Sequence, residues 1–342
     1  MKIKKYNSIG KEEIKAANKV LKSGILSDFI GSRSNKFYGG KYILKFEKDI
    51  TKYFKTKYAI VTNSWTSGLI AAIGSLDIEP GDEVICTPWT MSACAMSILH
   101  WNAIPVFVDI EKGTYNYNLD DLKKKITSKT KAIIAVDIFG QSENIKSIKK
   151  IIEKRNIKII SDAAQAIGAK YKNHFAGTMG DIGGFSLNCH KHINTGEGGI
   201  IVTNNKNYAD RCRLIRNHAE SVVNYSKKNK INNMIGYNFR MGEIEAAIGI
   251  EQLKKLKKIV SFRQKLAMHL LNKIKNLPGL ELPIIKKSFS HAFYVIPFNL
   301  DLKKIKYNRK KVIKILKNAG VHGLNSGYQN LHLLPIFRHK IA

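Results

Sequence analysis

Between residues 57 and 203 the chain alternates short apolar, β-branched runs with segments of helical period, and few folds accommodate that rhythm. The strand candidates are YAIVT (58–62), EVICT (83–87), IPVFVDI (104–110), AIIAVDI (132–138), IKIISD (157–162), GGFSL (183–187) and GGIIVT (198–203). Helical segments at 66–75, 91–101, 119–125 and 145–155 fall between several of them. Short runs apolar on both faces, interleaved with helices, predict an α/β fold with a mostly parallel seven-stranded sheet flanked by helices. After residue 203 the texture changes to long helical pattern at 208–216 and 242–271, which NLPGLELP breaks. HAFYVIPFNL (291–300) then reads as a strand and 310–319 as a helix. A chain of 342 residues exceeds a single core, so a large domain at 1–255 and a smaller C-terminal α/β domain at 256–342 are expected.

Ligands on such sheets bind outside the carboxyl ends of the strands, which makes the residues at those ends the candidates. Asp162 closes IKIISD and is followed by a helix-like Ala/Gln stretch. Ser64 and Thr66 lie just past YAIVT, where a helix begins whose free N–H groups and dipole suit a phosphate. Lys191 lies past GGFSL, between His190 and His192, ahead of a GEGG turn that lets the loop re-enter the sheet. Singly, each has a plain reading: a surface lysine, a helix N-cap, a cap serine.

Together they suit one chemistry. Pyridoxal phosphate needs an amine to hold its aldehyde as a Schiff base and an anion to keep its ring nitrogen protonated. A lysine crowded by cationic groups and partly desolvated gives up its proton more readily. Gln165, three residues after Asp162, would share the side of a first helical turn and offer its amide to the ring hydroxyl. The motifs GxxxxGK[ST] and GxGxxG do not occur.

Lys+Arg of 58 against Asp+Glu of 26 leaves a net charge of +32, a field that favours anionic ligands. The lysines are spread through helix-like segments such as LKKKITSKTK without base-stacking aromatics, the pattern of a solvated surface rather than a nucleic-acid site. Cys86, Cys94, Cys189 and Cys212 form no CxxC pair and no metal-ligand spacing, so no metal is expected and free thiols in a reducing cytoplasm are. No run approaches the ~20 apolar residues of a membrane helix. The first twenty residues lack the apolar core of a secretory signal.

In order along the chain, YAIVTNSWTSGL, GDEVI, IPVFVDI, TKAIIAVDIFG, SDAAQAIGA, GFSLNCHKHINTGEGGIIVTN, RNHAE and NFRMGEIEAAIGIEQLKKL resemble the DegT family of sugar aminotransferases. Those are pyridoxal-phosphate enzymes of the aspartate-aminotransferase fold. The resemblance implies that Lys191 carries the cofactor, Asp162 pairs with its ring nitrogen, Gln165 touches its 3-hydroxyl, and Thr66 and Ser186 bind its phosphate. An asparagine matching Asn238 would reach the phosphate of a neighbouring subunit's cofactor, which implies a homodimer with shared sites. Trp65 stands where the family usually has a small glycine, so the phosphate loop is reshaped or the indole walls the site. The aromatic that stacks on the ring is replaced by Met91, with Trp89 two residues earlier, and either side chain is a candidate cover. The family commonly runs several tens of residues further, so the small domain is expected to be incomplete.

The expected reaction is transamination of a keto or aldehyde sugar, nucleotide-linked or free and acidic, with glutamate as the amino-acid donor, in amino-sugar and cell-surface polysaccharide biosynthesis. Lys191 would shuttle the proton. His218 and Arg240 are candidates for touching the acceptor, each with an equally good structural role. Two alternatives stand beside it. One is a dehydratase of the same fold, in which histidine commonly replaces the lysine. The other is a binding or regulatory protein that keeps the fold without turnover.

Overall fold

The computed structural model describes residues 6–221 and 234–340. Seven strands build one sheet: β1 (Tyr58–Thr62), β2 (Glu83–Cys86), β3 (Ile104–Phe107), β4 (Thr130–Val136), β5 (Lys158–Asp162), β6 (Ile182–Ser186) and β7 (Gly199–Thr203). Their spatial order is β1-β7-β6-β5-β4-β2-β3. β3, β2, β4, β5 and β6 run parallel, and β7 is antiparallel to both its neighbours. The mostly parallel seven-stranded sheet read from the sequence is therefore the sheet observed.

Side chains alternate across a strand, and here the alternation sorts them into separate cores. Ile60, Val84, Cys86, Ile134, Ile160 and Ile201 enter one cluster. Their neighbours Ala59, Val61, Phe185, Ile200 and Val202 enter a second, and Ile85, Ile133, Ala135 and Ile159 a third. Both faces are thus apolar, as parallel strands covered by helices require. Helix α1 (Lys11–Ser23) packs on the last long helix, and helix α2 (Lys41–Phe54) buries Ile43, Phe46, Ile50 and Phe54, a helical stripe, in the second cluster. Helix α3 (Trp65–Gly74) is apolar nearly all round because it is buried among β1, β6, β7 and other helices. Between the parallel strands run α4 (Ala93–Leu99), α5 (Leu119–Lys125) and α6 (Ile145–Ile151), followed after β7 by α7 (Lys206–Arg216).

Helix α8 (Glu243–Ile274) runs unbroken, so residue 255, where the sequence pattern divides the chain, lies inside a helix. Its first half packs Ala246 to Val260 into the second cluster, and its second half packs Ala267 and Leu271 against Phe293. The stretch HAFYVIPFNL is not the strand its composition suggests. Only Asn299–Leu300 forms a strand, with Leu280–Glu281, and His291 adds an isolated bridge to Gln141, because the donors of Ala292 and Tyr294 go to the carbonyls of Gly140 and Phe139. Helix α9 (Arg309–Asn318) follows, and the last short helix, α10 (Pro335–Arg338), ends the described chain. No helix of the described residues is long and apolar enough to cross a membrane.

One buried pair ties α2, α7 and β1 together. The Arg216 guanidinium, 0% exposed, donates to Glu47 Oε1 at 2.7 Å and to the carbonyls of Val61 at 3.1 Å and Tyr38 at 3.3 Å. The same carboxylate oxygen accepts the Val61 N–H at 3.0 Å. Removing one partner strands a buried charge, so Glu47→Ala is expected to cost about 3–5 kcal/mol. Urea unfolding checks it: the midpoint should fall with little change in slope.

Candidate active site

Three strands end together. In the ladder Asp162 lies opposite Gly184, Ser186 lies opposite Gly199, and Gly199 also faces Thr62. The carboxyl ends of β5, β6 and β1 thereby share one edge of the sheet. The backbones pass so closely there that a Cβ on Gly199 would lie 2.4 Å from the Ser64 carbonyl oxygen, and one on Gly184 would lie 2.0 Å from that of Ile200.

Asp162 is 4% exposed, and its carboxylate accepts three hydrogen bonds from the protein. Oδ1 accepts the Trp65 indole N–H at 2.7 Å and the Ala164 backbone N–H at 3.0 Å. Oδ2 accepts from the Cys94 thiol at 3.1 Å. The residues after Asp162 form a turn, with Ala166 N–H on the Ala163 carbonyl, and not the helix their composition suggests. The strand's hydrogen bonding carries into that turn, Ala163 N–H reaching the Gly184 carbonyl, so the chain is held to the sheet past Asp162. Gln165 is nonetheless buried beside it, its Oε1 accepting the Phe139 N–H at 2.9 Å and its amide donating to the Tyr328 hydroxyl at 2.7 Å.

Lys191 comes from a loop that leaves β6 and returns to β7. The loop closes on itself through Leu187 N–H on the Gly198 carbonyl and Thr195 N–H on the Leu187 carbonyl, with Gly196 at φ 86°. The Lys191 ammonium lies over the Tyr294 ring, 4.5 Å from its centroid. Burial pushes this amine below the ordinary lysine value, while the Asp162 and Glu197 carboxylates pull it upward. The two flanking histidines differ from it. His190 is exposed, and His192 is built into the core with Nε2 on the Ala292 carbonyl at 2.9 Å, its pKa pushed down to about 4 by burial.

The start of α3 completes the edge. Ser64 is its N-cap, accepting the Ser67 N–H at 3.1 Å, and Thr66 is exposed in its first turn. Ser186 is buried, its hydroxyl accepting the Asn188 N–H at 3.3 Å. Trp65 does not wall the site from the solvent side. It is 5% exposed and lies in the first core cluster, behind Asp162. Met91 is 58% exposed, whereas Trp89 packs edge-on to Tyr328 at 6.3 Å and its indole N–H is buried without a partner among the described residues. Asn238 is exposed and bridges to Asn217. Arg240 donates to Asn217 Oδ1 at 2.8 Å, and His218, at φ 62°, is exposed.

Several neighbours of the site carry no sequence signal. Cys94 sits 68 positions from Asp162 in an otherwise ordinary ACAMSIL helix. Tyr294 belongs to the segment whose apolar run mimics a strand. Tyr328, which stacks on Phe139 at 6.2 Å and whose hydroxyl is pushed up to about 12 by burial, returns from the far end of the chain.

Comparison with known proteins places this edge in context. The family profile of the DegT/DnrJ/EryC1/StrS aminotransferases matches residues 7–342. An uncharacterized protein of Methanocaldococcus jannaschii, MJ1066, is 38% identical over 336 residues, 96% of this chain and 84% of the relative. GDP-perosamine synthase of Vibrio cholerae is 32% identical over 323 residues, 94% of this chain and 84% of the enzyme. A GDP-4-keto-6-deoxymannose-3-dehydratase solved with a trapped PLP–glutamate geminal diamine superposes with a TM-score of 0.86 at 29% identity, covering 98% of this chain and 88% of that one.

The electrostatics of Lys191 give a measurable consequence. Its amine should react with an acylating reagent at a pH midpoint below that of ordinary lysines, followed by peptide mass. Because Asp162 pulls the value up, Asp162→Asn should move the midpoint lower still. An unchanged or higher midpoint in that variant would mean the two groups do not share a field.

Proposed function

The chain is a member of the DegT/DnrJ/EryC1/StrS aminotransferase family, and we propose that it transfers an amino group from glutamate to a nucleotide-linked keto sugar, with pyridoxal phosphate as its cofactor. The observation that carries this reading is the convergence of a desolvated lysine and a buried carboxylate at one sheet edge, coupled through their charges.

The donor set fits the cofactor group by group. Lys191 supplies the amine for its aldehyde. Asp162, held by N–H and S–H donors, is a fixed anion for the ring nitrogen. Gln165 has a second amide N–H beyond the one spent on Tyr328, suited to the ring hydroxyl. Thr66, Ser186 and the free N–H groups at the start of α3 would take the phosphate. The unpartnered indole N–H of Trp89 is a further buried donor, so we assign the cover of the site to Trp89 rather than to exposed Met91. When bound, pyridoxal phosphate supplies an electron sink that makes the donor's α-proton removable.

The rest falls to the protein. With the cofactor bound, Lys191 would be the group that moves the proton of the donor carbon, and its lowered pKa keeps a larger share of the amine neutral and able to act as base. The Tyr294 face holds the side chain in reach while it is charged. Three protein donors point at the Asp162 oxygens and hold the carboxylate in place. The exposed Asn238 is assigned to the phosphate site of a second copy, which makes the working unit a homodimer. The four cysteines are unbridged, which suits a cytoplasmic enzyme.

A nucleotide-linked acceptor is supported by the names of relatives, GDP-perosamine synthase among them, and by a net charge of +32 that draws in a diphosphate. A dehydratase acting on a related sugar is also similar to this chain. The Lys191 amine feels the Asp162 charge, while His190 is exposed and His192 is built into the core, and that favours transfer over dehydration.

The test uses protein loaded with the cofactor. L-Glutamate should abolish the visible band and yield 2-oxoglutarate, and a GDP-linked 4-keto sugar should restore the band and leave with the amine. Lys191→Ala should lower turnover by at least ~10²-fold. Loss of water from the sugar with no amine retained would replace the proposal with the dehydratase reading.

A further inference from the structure

Trp65 is the residue whose placement departs furthest from expectation, and its surroundings explain it. Its indole lies close against the backbone of β6: a Cβ on Gly184 would meet the ring at 2.1 and 2.3 Å, and one on Gly68 would meet it at 2.6 Å. Gly184 is the ladder partner of Asp162. Two glycines have thus cleared a slot in which a large aromatic can lie behind the carboxylate and aim one N–H at it.

On the other side Cys94 rises from α4, 1% exposed, its thiol on Asp162 Oδ2 and its sulfur 3.7 Å from the Thr90 hydroxyl. A carboxylate offers about four acceptor directions. Trp65 and Ala164 fill both on Oδ1, and Cys94 fills one of two on Oδ2. A single direction is left open.

We propose that Trp65 and Cys94 are positioning residues that lock the Asp162 carboxylate so that the one remaining acceptor site, on Oδ2, faces the cofactor's ring nitrogen. This rests on the pyridoxal-phosphate reading above. The two side chains touch neither cofactor nor substrate; they act through Asp162. Cys94 serves as a neutral S–H donor, since burial and the adjacent carboxylate hold its thiol well above the ordinary range. With the other three directions taken, a ring N–H meets a carboxylate that cannot rotate away.

The experiment compares wild type, Trp65→Phe, Cys94→Ala and Cys94→Ser, each stripped of cofactor and titrated with pyridoxal phosphate, and then follows the visible band against pH. Trp65→Phe keeps most of the packing and removes the N–H; Cys94→Ser keeps a donor that Cys94→Ala lacks. Trp65→Phe should weaken cofactor binding about 10-fold or more. It should also move the pH at which the lysine–cofactor linkage loses its proton upward, because a ring nitrogen that is protonated less of the time repels that proton less. Cys94→Ala should shift both quantities in the same direction and Cys94→Ser should restore them. Wild-type affinity and an unmoved band in Trp65→Phe and Cys94→Ala would overturn the proposal and reduce both residues to packing. Should Trp65→Phe fail to fold, the Cys94 pair decides on the same two readouts. A wild-type protein that forms no visible band at all would remove the cofactor reading, and this inference with it.

Discussion

The pairing of Lys191 with Asp162 depends on strand register. β5 and β6 are parallel neighbours, and Asp162 stands opposite Gly184, two residues before β6 ends at Ser186. A slip of one residue in β5 would carry Asp162 to the opposite face of the sheet. The register is pinned by sterics as much as by hydrogen bonds. A Cβ on Gly183 would lie 2.0 Å from the Gly177 carbonyl oxygen, and Gly184 and Gly199 are equally closed. These glycines serve close approach between backbones, and the site exists because three chain segments come nearer here than any larger residue permits.

The fold was legible where one physical signal dominated. Strands buried on both faces are short, β-branched and apolar, and all seven appear within a few residues of their sequence positions. The signal failed where apolar residues are buried for another reason. HAFYVIPFNL has strand composition, yet its backbone donors answer the carbonyls of the 138–140 turn, so it wedges against that turn and delivers Tyr294 to Lys191. The AAQA stretch after Asp162 has helical composition, but sheet bonding from Ala163 to Gly184 holds the chain in a turn. Both misreadings come from tertiary hydrogen bonds that no local window contains.

The site was legible in its charged members and opaque in what orients them. Lys191 and Asp162 announce themselves because an ionisable group at the end of a buried strand is expensive unless it has a task. Trp65 and Cys94 carry no such cost in the sequence: an indole and a thiol are ordinary core residues. The clue to Trp65 was its size in a position that favours a small residue, and the resolution lay 97 and 119 residues away, in Asp162 and in the absent side chain of Gly184. Spacing of that kind is created by topology, not by motif.

This separation also bears on how one scaffold can serve transfer or dehydration. Asp162 is braced from the protein interior, through α3 and α4, whereas the lysine arrives on a loop whose ends are tied but whose middle is partly exposed. A substitution at 191 would change the side chain at the loop without disturbing the bracing behind Asp162, since no hydrogen bond joins the two groups among the described residues and only their charges interact. The carboxylate and the amine are therefore held by separately supported parts of the structure. Which chemistry such an edge performs then turns on the side chain presented at the loop, and here that side chain is an amine held over an aromatic face, with its charge suppressed by burial and sustained by two carboxylates.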